Sequence, residues 1–440
     1  MNDEIIYSLI LFLSIVVGFP LRKLKSFKAK QIATGGFGFL VVFGVCGFDG
    51  LYSFIACVVN TVIIKCLRRK TAFVSFIWSF SFLLFFRCVT WFGFERPSAL
   101  ANAVQLMLTL KLVSVAIEIQ DYRSNKRGLV SEPTTMDMFW YSYCYTGLFT
   151  GPFFKYRTYH DYLANETQTF IPWKKEVFTR LQNIGMFGVL YAVVSFNFNI
   201  NVPKSDAFYE QPFWFRLFYM VPIFFIGRMR FYSAWLLAEC SFVTLTLGAY
   251  PTSSKPRPGN GPTQDKQEGD DSYSFETIRN IDPYNCDFTS TIRLGMRNWN
   301  MGVQWWLANY IHKRWPQNMK HLRVAGVMGV SAFWHGIEPG FYGAFLSMPL
   351  FMLAEDQLQK LKVYLPTKVQ DSYDWVLWFF KFRAFEYMYM AFALLTWEDT
   401  YRYWKSIYFC FHIIAIIIIM ISHLFRSVIR KPRSNEEKLK

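Results

Sequence analysis

Charge-free apolar segments recur along the whole chain, and this recurrence constrains the fold more than any other feature. Residues 5–19, 71–86 and 406–424 contain no Asp, Glu, Lys or Arg. A helix needs about 20 apolar residues to cross a bilayer, and fewer when it is tilted or partly covered by protein. Only 18% of the 440 residues are charged and 53% are hydrophobic, whereas an ordinary soluble domain carries about 25% charged residues. A large soluble protein would confine such segments to a few core elements, not repeat them from end to end. The chain therefore reads as all-α, a polytopic membrane helical bundle.

Apolar runs and breakers give about ten transmembrane segments. Their approximate cores are 5–19, 33–48, 51–64, 71–92, 99–119, 137–154, 181–198, 213–227 continuing toward 245, 324–354 as a broken pair, 375–397 and 404–425. The whole of 1–440 reads as one membrane domain. Residues 251–287, rich in Pro, Gly, Ser, Asp and Lys, read as one polar loop too short for a second domain. The charged tail 430–440 is expected to be disordered.

The net charge of +16 would suggest nucleic acid in a soluble protein. Here the basic residues cluster between apolar spans, so topology and anionic lipid are the better reading. Arg22, Lys23, Lys25, Lys28 and Lys30 follow the first span, and Lys65, Arg68, Arg69 and Lys70 follow the third. Two spans separate the clusters, which puts both on one face, the cytosolic one by the positive-inside rule. The eight cysteines are scattered without a Cys-x-x-Cys pair or His/Cys spacing for a metal, so no metal site is expected.

Two stretches break the simple bundle pattern. Residues 293–323 carry Trp299, Val303, Trp306 and Tyr310 at helical spacing, together with Arg297, Lys313, Arg314 and Lys320. Those charges are too many for a spanning helix and predict an amphipathic helix at the interface. Residues 324–354 hold a single formal charge, Glu338, and Gly336, Pro339 and Gly340 punctuate their middle. Proline interrupts a helix, and non-helical backbone at membrane depth needs protein cover or a water-filled cavity. A cavity beside His335 follows, unless the break is a simple turn between two short helices.

His335 stands apart from the other histidines. His312 and His321 lie among basic residues, His160 lies in a polar aromatic stretch, and His412 and His423 belong to the last span. An ionisable residue inside the membrane is a functional candidate by default, with a hydrogen-bonded structural histidine as the competing reading. Asn300 is the second candidate, although an asparagine often only caps a helix. Lys111 and Glu118 share a helix face, as do Arg228, Tyr232, Trp235 and Glu239. Such groups either form structural pairs or line a polar path.

The run Trp299-Asn300-Met301-Gly302-Val303-Gln304-Trp305-Trp306-Leu307 and the run Ser331-Ala332-Phe333-Trp334-His335-Gly336 resemble the paired signatures of the membrane-bound O-acyltransferases. Their order and their 35-residue separation fit that family. Leu110-Lys111-Leu112-Val113-Ser114, Gly151-Pro152-Phe153-Phe154-Lys155-Tyr156-Arg157 and Arg228-Met229-Arg230-Phe231-Tyr232 are similar to its phospholipid branch, closest to the lysophosphatidylinositol acyltransferases. The similarity runs over most of residues 1–425.

The resemblance implies a bundle with re-entrant or broken helices and an internal cavity, resident in the endoplasmic reticulum membrane. It implies acyl transfer from acyl-coenzyme A, a co-substrate, to the hydroxyl of a lysophospholipid, with polyunsaturated chains such as arachidonoyl preferred. No other cofactor and no nucleic acid partner are implied. His335 would act as general base, since a neutral imidazole can take the hydroxyl proton during attack on the thioester. Asn300 would donate its amide N–H to the oxyanion, or orient His335 or the substrate. Arg228, Arg230, Tyr232, Trp299, Trp306 and Trp334 are candidate substrate-binding residues. Within the family a sterol, a protein or diacylglycerol is a rival acceptor. Outside it, a transporter also fits a broken helix with an ionisable residue, but no internal repeat of that kind is visible.

Overall fold

The computed structural model describes residues 3–429 other than 127, 268 and 271. The tail 430–440 and the His321 side chain lie outside the described residues. The described residues are mostly helical. The N-terminal half starts with α1 (Asp3–Leu21), α2 (Phe27–Cys46), α3 (Gly50–Cys66) and α4 (Thr71–Arg87). These surround α5 (Ala99–Arg123), which packs against α2, α3 and α4. Helix α5 begins where Ser98 Oγ accepts the Ala101 N–H at 3.2 Å, a side-chain cap on an otherwise unpaired donor. It is buried along most of its length, so its apolar residues face protein on every side rather than lipid.

Helix α6 (Thr135–Tyr143) opens on a capping box between Thr134 and Asp137. The apolar run 137–154, expected as a membrane segment, is helical only to Tyr143. Residues 144–155 are buried, irregular backbone leading to α7 (Tyr156–Ala164). Gly147 sits at φ +70°, where an added Cβ would lie 2.7 Å from the Pro152 carbonyl oxygen, so only glycine fits this turn. Protein groups bind the freed carbonyls. The Lys111 ammonium donates to those of Tyr141 (3.3 Å) and Cys144 (3.4 Å) and lies over the Phe154 ring. Tyr141 OH donates to the Phe154 carbonyl at 2.7 Å. Lys111 and Glu118 thus do not form a pair: Glu118 accepts instead from Tyr310 OH at 2.7 Å.

Lys111→Ala would leave the buried Cys144 carbonyl without its donor, whereas that of Tyr141 keeps the Cys144 N–H. A loss of about 2–4 kcal/mol is expected, read as a lower Tm of the purified protein. An unchanged Tm would show that the irregular segment does not depend on this lysine.

The second half contains α8 (Lys174–Asn197), α9 (Asp206–Tyr209), α10 (Phe213–Phe218) and α11 (Met220–Leu245). Strands β1 (Tyr250–Pro251) and β2 (Tyr273–Ser274) pair antiparallel within the polar stretch. There Asp270 accepts the Ser272 hydroxyl at 2.6 Å and the Ser253 N–H at 2.7 Å. These bonds hold its carboxyl well below the usual carboxylate range. Next come α12 (Pro283–Phe288), α13 (Ile292–Arg297), α14 (Met301–Trp306), α15 (Arg323–His335), α16 (Pro339–Lys362), α17 (Thr367–Leu394), α18 (Trp397–Ser406) and α19 (Cys410–Ile429). Helix α11 packs on α1, α8 and α17, and α16 packs on α15, α17 and α19.

Residues 293–323 do not form the continuous interfacial helix predicted from their spacing. Asn300 interrupts it at φ 46°, ψ 52°, and a π-helical turn follows at Leu307–Ile311. Trp306 and Tyr310 are buried in the core rather than anchored at an interface, while Lys313, Arg314 and Lys320 are exposed. Among the described residues, four helical stretches are long and apolar enough to cross a membrane, or five if the bent pair α18–α19 counts as one span. Helices α11, α16 and α17, at 26, 24 and 28 residues, are long enough to span. Each buries charged side chains against protein, among them Arg228 and Glu239, Glu355, and Lys381 and Glu386, within segments that the apolar runs already mark.

Candidate active site

Asn300 owes its position to a relay of buried groups. Its left-handed backbone is a conformation that asparagine tolerates better than most residues. Next to it, Met301 N–H donates to the Asn280 carbonyl (2.8 Å), and Gly302 N–H donates to Asn280 Oδ1 (3.2 Å). The N–H groups of Asn280 and Ile281 donate to Glu239 Oε1 at 2.7 and 3.2 Å. Arg180 of α8 donates to Glu239 Oε2 at 2.8 Å. Gly302 is required by close approach, since a Cβ there would lie 2.9 Å from the Phe153 nitrogen. The Asn300 turn is thereby fixed against α11, α8 and the irregular 144–155 segment.

His335 is the last residue of α15. Gly336 is extended at φ −177°, and α16 starts at Pro339. This is the helix break expected from Gly336 and Pro339. Gly340 N–H donates to the Leu395 carbonyl at 2.7 Å, which ties the restart to the end of α17. The imidazole stacks on Phe345 (centroids 5.0 Å apart) and meets Phe392 edge-on (5.3 Å) and Trp334 (4.7 Å).

Asn300 and His335 both line one cavity between α11, α13, α14, α15, α16 and α17. It encloses about 1060 Å³ of empty space, its open mouth included. Phe345, Met348, Met388 and Phe392 supply apolar wall. Among the described residues no protein group hydrogen-bonds the side chain of Asn300 or the ring of His335. Both residues are half-buried at the cavity surface, so a ligand there can supply the missing partner. His412 shows the contrast: its ring bonds Ser347 Oγ (2.8 Å) and Tyr387 OH (2.7 Å), as a structural histidine does.

The other candidates divide. Arg228, Tyr232 and Trp299 line the cavity. Arg228 is paired with Asp287, and Tyr232 OH donates to the same carboxylate oxygen at 2.8 Å. Trp299 packs against Trp235 at 4.9 Å. Ser331 also reaches the cavity wall. Arg230 does not line it; its side chain is exposed and pairs with Glu4 at 2.8 Å. The Trp306 and Trp334 indoles donate to the carbonyls of Leu110 (3.1 Å) and Leu106 (3.0 Å), one turn apart on α5. These two tryptophans dock α14 and α15 onto the central helix instead of facing the cavity. Sequence reasoning missed Asn280, Asp287 and Arg87. Of these only Arg87 carried a local signal, as the charge that ends the run 71–86. Among the described residues no group of His, Cys, Asp and Glu side chains could hold a metal ion.

A helical membrane protein with unpaired amide and imidazole groups on an apolar cavity has the plan of a lipid-modifying enzyme. The model of the membrane-bound O-acyltransferase family matches residues 70–396, and the chain belongs to that family of acyltransferases. A Xenopus laevis protein named membrane-bound acylglycerophosphatidylinositol O-acyltransferase is 44% identical, over 99% of this chain and 97% of its own length. The Homo sapiens protein of that name is 42% identical over 94% and 92%, and the Drosophila melanogaster one 30% over 92% and 89%.

Proposed function

We propose that this protein moves an acyl group from acyl-coenzyme A to the free hydroxyl of lysophosphatidylinositol in the endoplasmic reticulum membrane, with arachidonoyl-type chains preferred. The observation that carries the reading is the pair of unpartnered polar side chains, Asn300 and His335, lining one largely apolar cavity. Similarity over nearly the full length to proteins named for acylglycerophosphatidylinositol supports the acceptor.

His335 takes the proton of the lipid hydroxyl as its oxygen attacks the thioester carbonyl carbon. The tetrahedral oxyanion receives the Asn300 amide N–H. The C–S bond then breaks, and the imidazolium returns its proton to the leaving thiolate, giving free coenzyme A. No covalent acyl-enzyme is needed. Arg228, Tyr232 and Trp299 contact substrate from the same cavity lining, and Trp306 and Trp334 act indirectly by fixing α14 and α15. The 13 residues of α15 rise about 20 Å. This rise separates His335 from the basic residues around Arg323, where the anionic coenzyme A headgroup stays in water.

A panel of lysophospholipids with one acyl donor tests the acceptor. Thiol release by the purified protein is expected to be fastest with lysophosphatidylinositol. Faster release with another headgroup would remove the inositol assignment and leave the acyltransferase reading standing.

A further inference from the structure

The last turn of α15 presents backbone carbonyls that its own helix cannot pair. Gly336 N–H donates to the Ala332 carbonyl at 3.0 Å. The next three carbonyls, those of Phe333, Trp334 and His335, all accept from one side chain, the Arg87 guanidinium at the end of α4. The Trp334 and His335 bonds measure 2.5 and 3.0 Å. Every C-terminal carbonyl of the helix is thereby accounted for. Arginine suits this position because its planar fork spreads several donors over separate acceptors, and its charge favours the negative end of the helix dipole.

Among the described residues no other side chain donates to these three carbonyls, although the Trp334 indole also ties this turn to α5 through the Leu106 carbonyl. Gly336 is extended, and Pro339, the first residue of α16, has no N–H to offer. The aromatic rings of Phe345 and Phe392 contact the imidazole, but they do not fix the His335 main chain. We infer that Arg87 is a positioning residue for acyl transfer: it clamps the α15 terminus so that the His335 imidazole faces the cavity. The inference rests on His335 being the base. It requires no contact between Arg87 and substrate.

The test compares Arg87→Ala, Arg87→Gln and Arg87→Lys with wild type, in full-length purified protein, by steady-state thiol release and thermal unfolding. Misplacing a catalytic group by about 1 Å costs about 100-fold, so kcat is expected to fall on that order in Arg87→Ala. KM for both substrates should stay within about threefold, as expected when ground-state binding is untouched. Arg87→Lys, a point charge without the fork, should recover only part of the rate. Added guanidinium at sub-denaturing concentration should raise the rate of Arg87→Ala and not that of Arg87→Gln, whose side chain fills the space.

Wild-type kcat in a folded Arg87→Ala or Arg87→Lys protein overturns the inference. So does a rise in KM at constant kcat, which would make Arg87 a substrate contact. His335→Ala, run in parallel, separates the two levels. If it keeps its turnover, the base assignment fails. If it is inactive while Arg87→Ala is unimpaired, only the positioning role fails. Arg402→Ala, which removes an exposed pair with Asp206, is the control for loss of an arginine and should match wild type.

Discussion

His335→Ala is expected to lower kcat by about 10²- to 10⁴-fold, the range that general-base catalysis contributes, while Tm stays close to that of wild type. The two halves of this expectation come from one observation. The ring bonds no protein group among the described residues, so its removal orphans no donor or acceptor. What the fold loses is ring contact with Phe345 (stacked) and Phe392 (edge-on), worth on the order of 1 kcal/mol. Initial-rate thiol release and a melting curve on the same preparation check both parts. Near-normal turnover would refute the catalytic role. A large Tm loss would instead make His335 a packing residue like His412, whose two ring nitrogens are both occupied.

Asn300 calls for a different comparison, because its residue type has two explanations. Its φ of 46° alone would favour asparagine or glycine. Asn300→Gly keeps that backbone accessible and removes only the amide. Asn300→Ala removes the amide and strains the turn by about 1–2 kcal/mol. An oxyanion donor contributes about 10²- to 10³-fold, so both variants should lose rate on that scale, and Asn300→Ala should also lose stability. Full activity in Asn300→Gly would show that the turn, and not the amide, is what the site requires.

The local features of this site were legible in the sequence, and the long-range ones were not. Gly336 and Pro339 mark the break after His335 because their effects act on their own backbone. The same reasoning failed for 137–154. The hydrophobicity is that of a span, but Gly147 and the partners of Tyr141, Cys144 and Phe154 turn it into irregular buried chain. Lys111 and Glu118 looked like a pair because they are seven residues apart on α5. Each instead serves a distant element, the 144 segment and Tyr310. Trp306 and Trp334 are docked by carbonyls of α5 about 200 positions away in the chain, and no local pattern encodes such a partner. The spacing of Trp299, Val303, Trp306 and Tyr310 predicted one helix, yet Asn300 in the left-handed conformation divides it. Asn300 and His335 then line the same cavity.

In the proposed function, acyl transfer to a lysolipid hydroxyl is direct and takes place at this cavity. Stopped-flow measurement of coenzyme A thiol release tests it most directly, with purified wild-type protein and arachidonoyl-coenzyme A, before and after addition of lysophosphatidylinositol. The predicted result is no release above background without the lysolipid. After its addition, release should match phosphatidylinositol formed, mole for mole, and be lost in His335→Ala. A burst of thiol without acceptor, leaving acyl group on the protein, would contradict direct transfer, and no release with any lysolipid would contradict the enzyme reading itself.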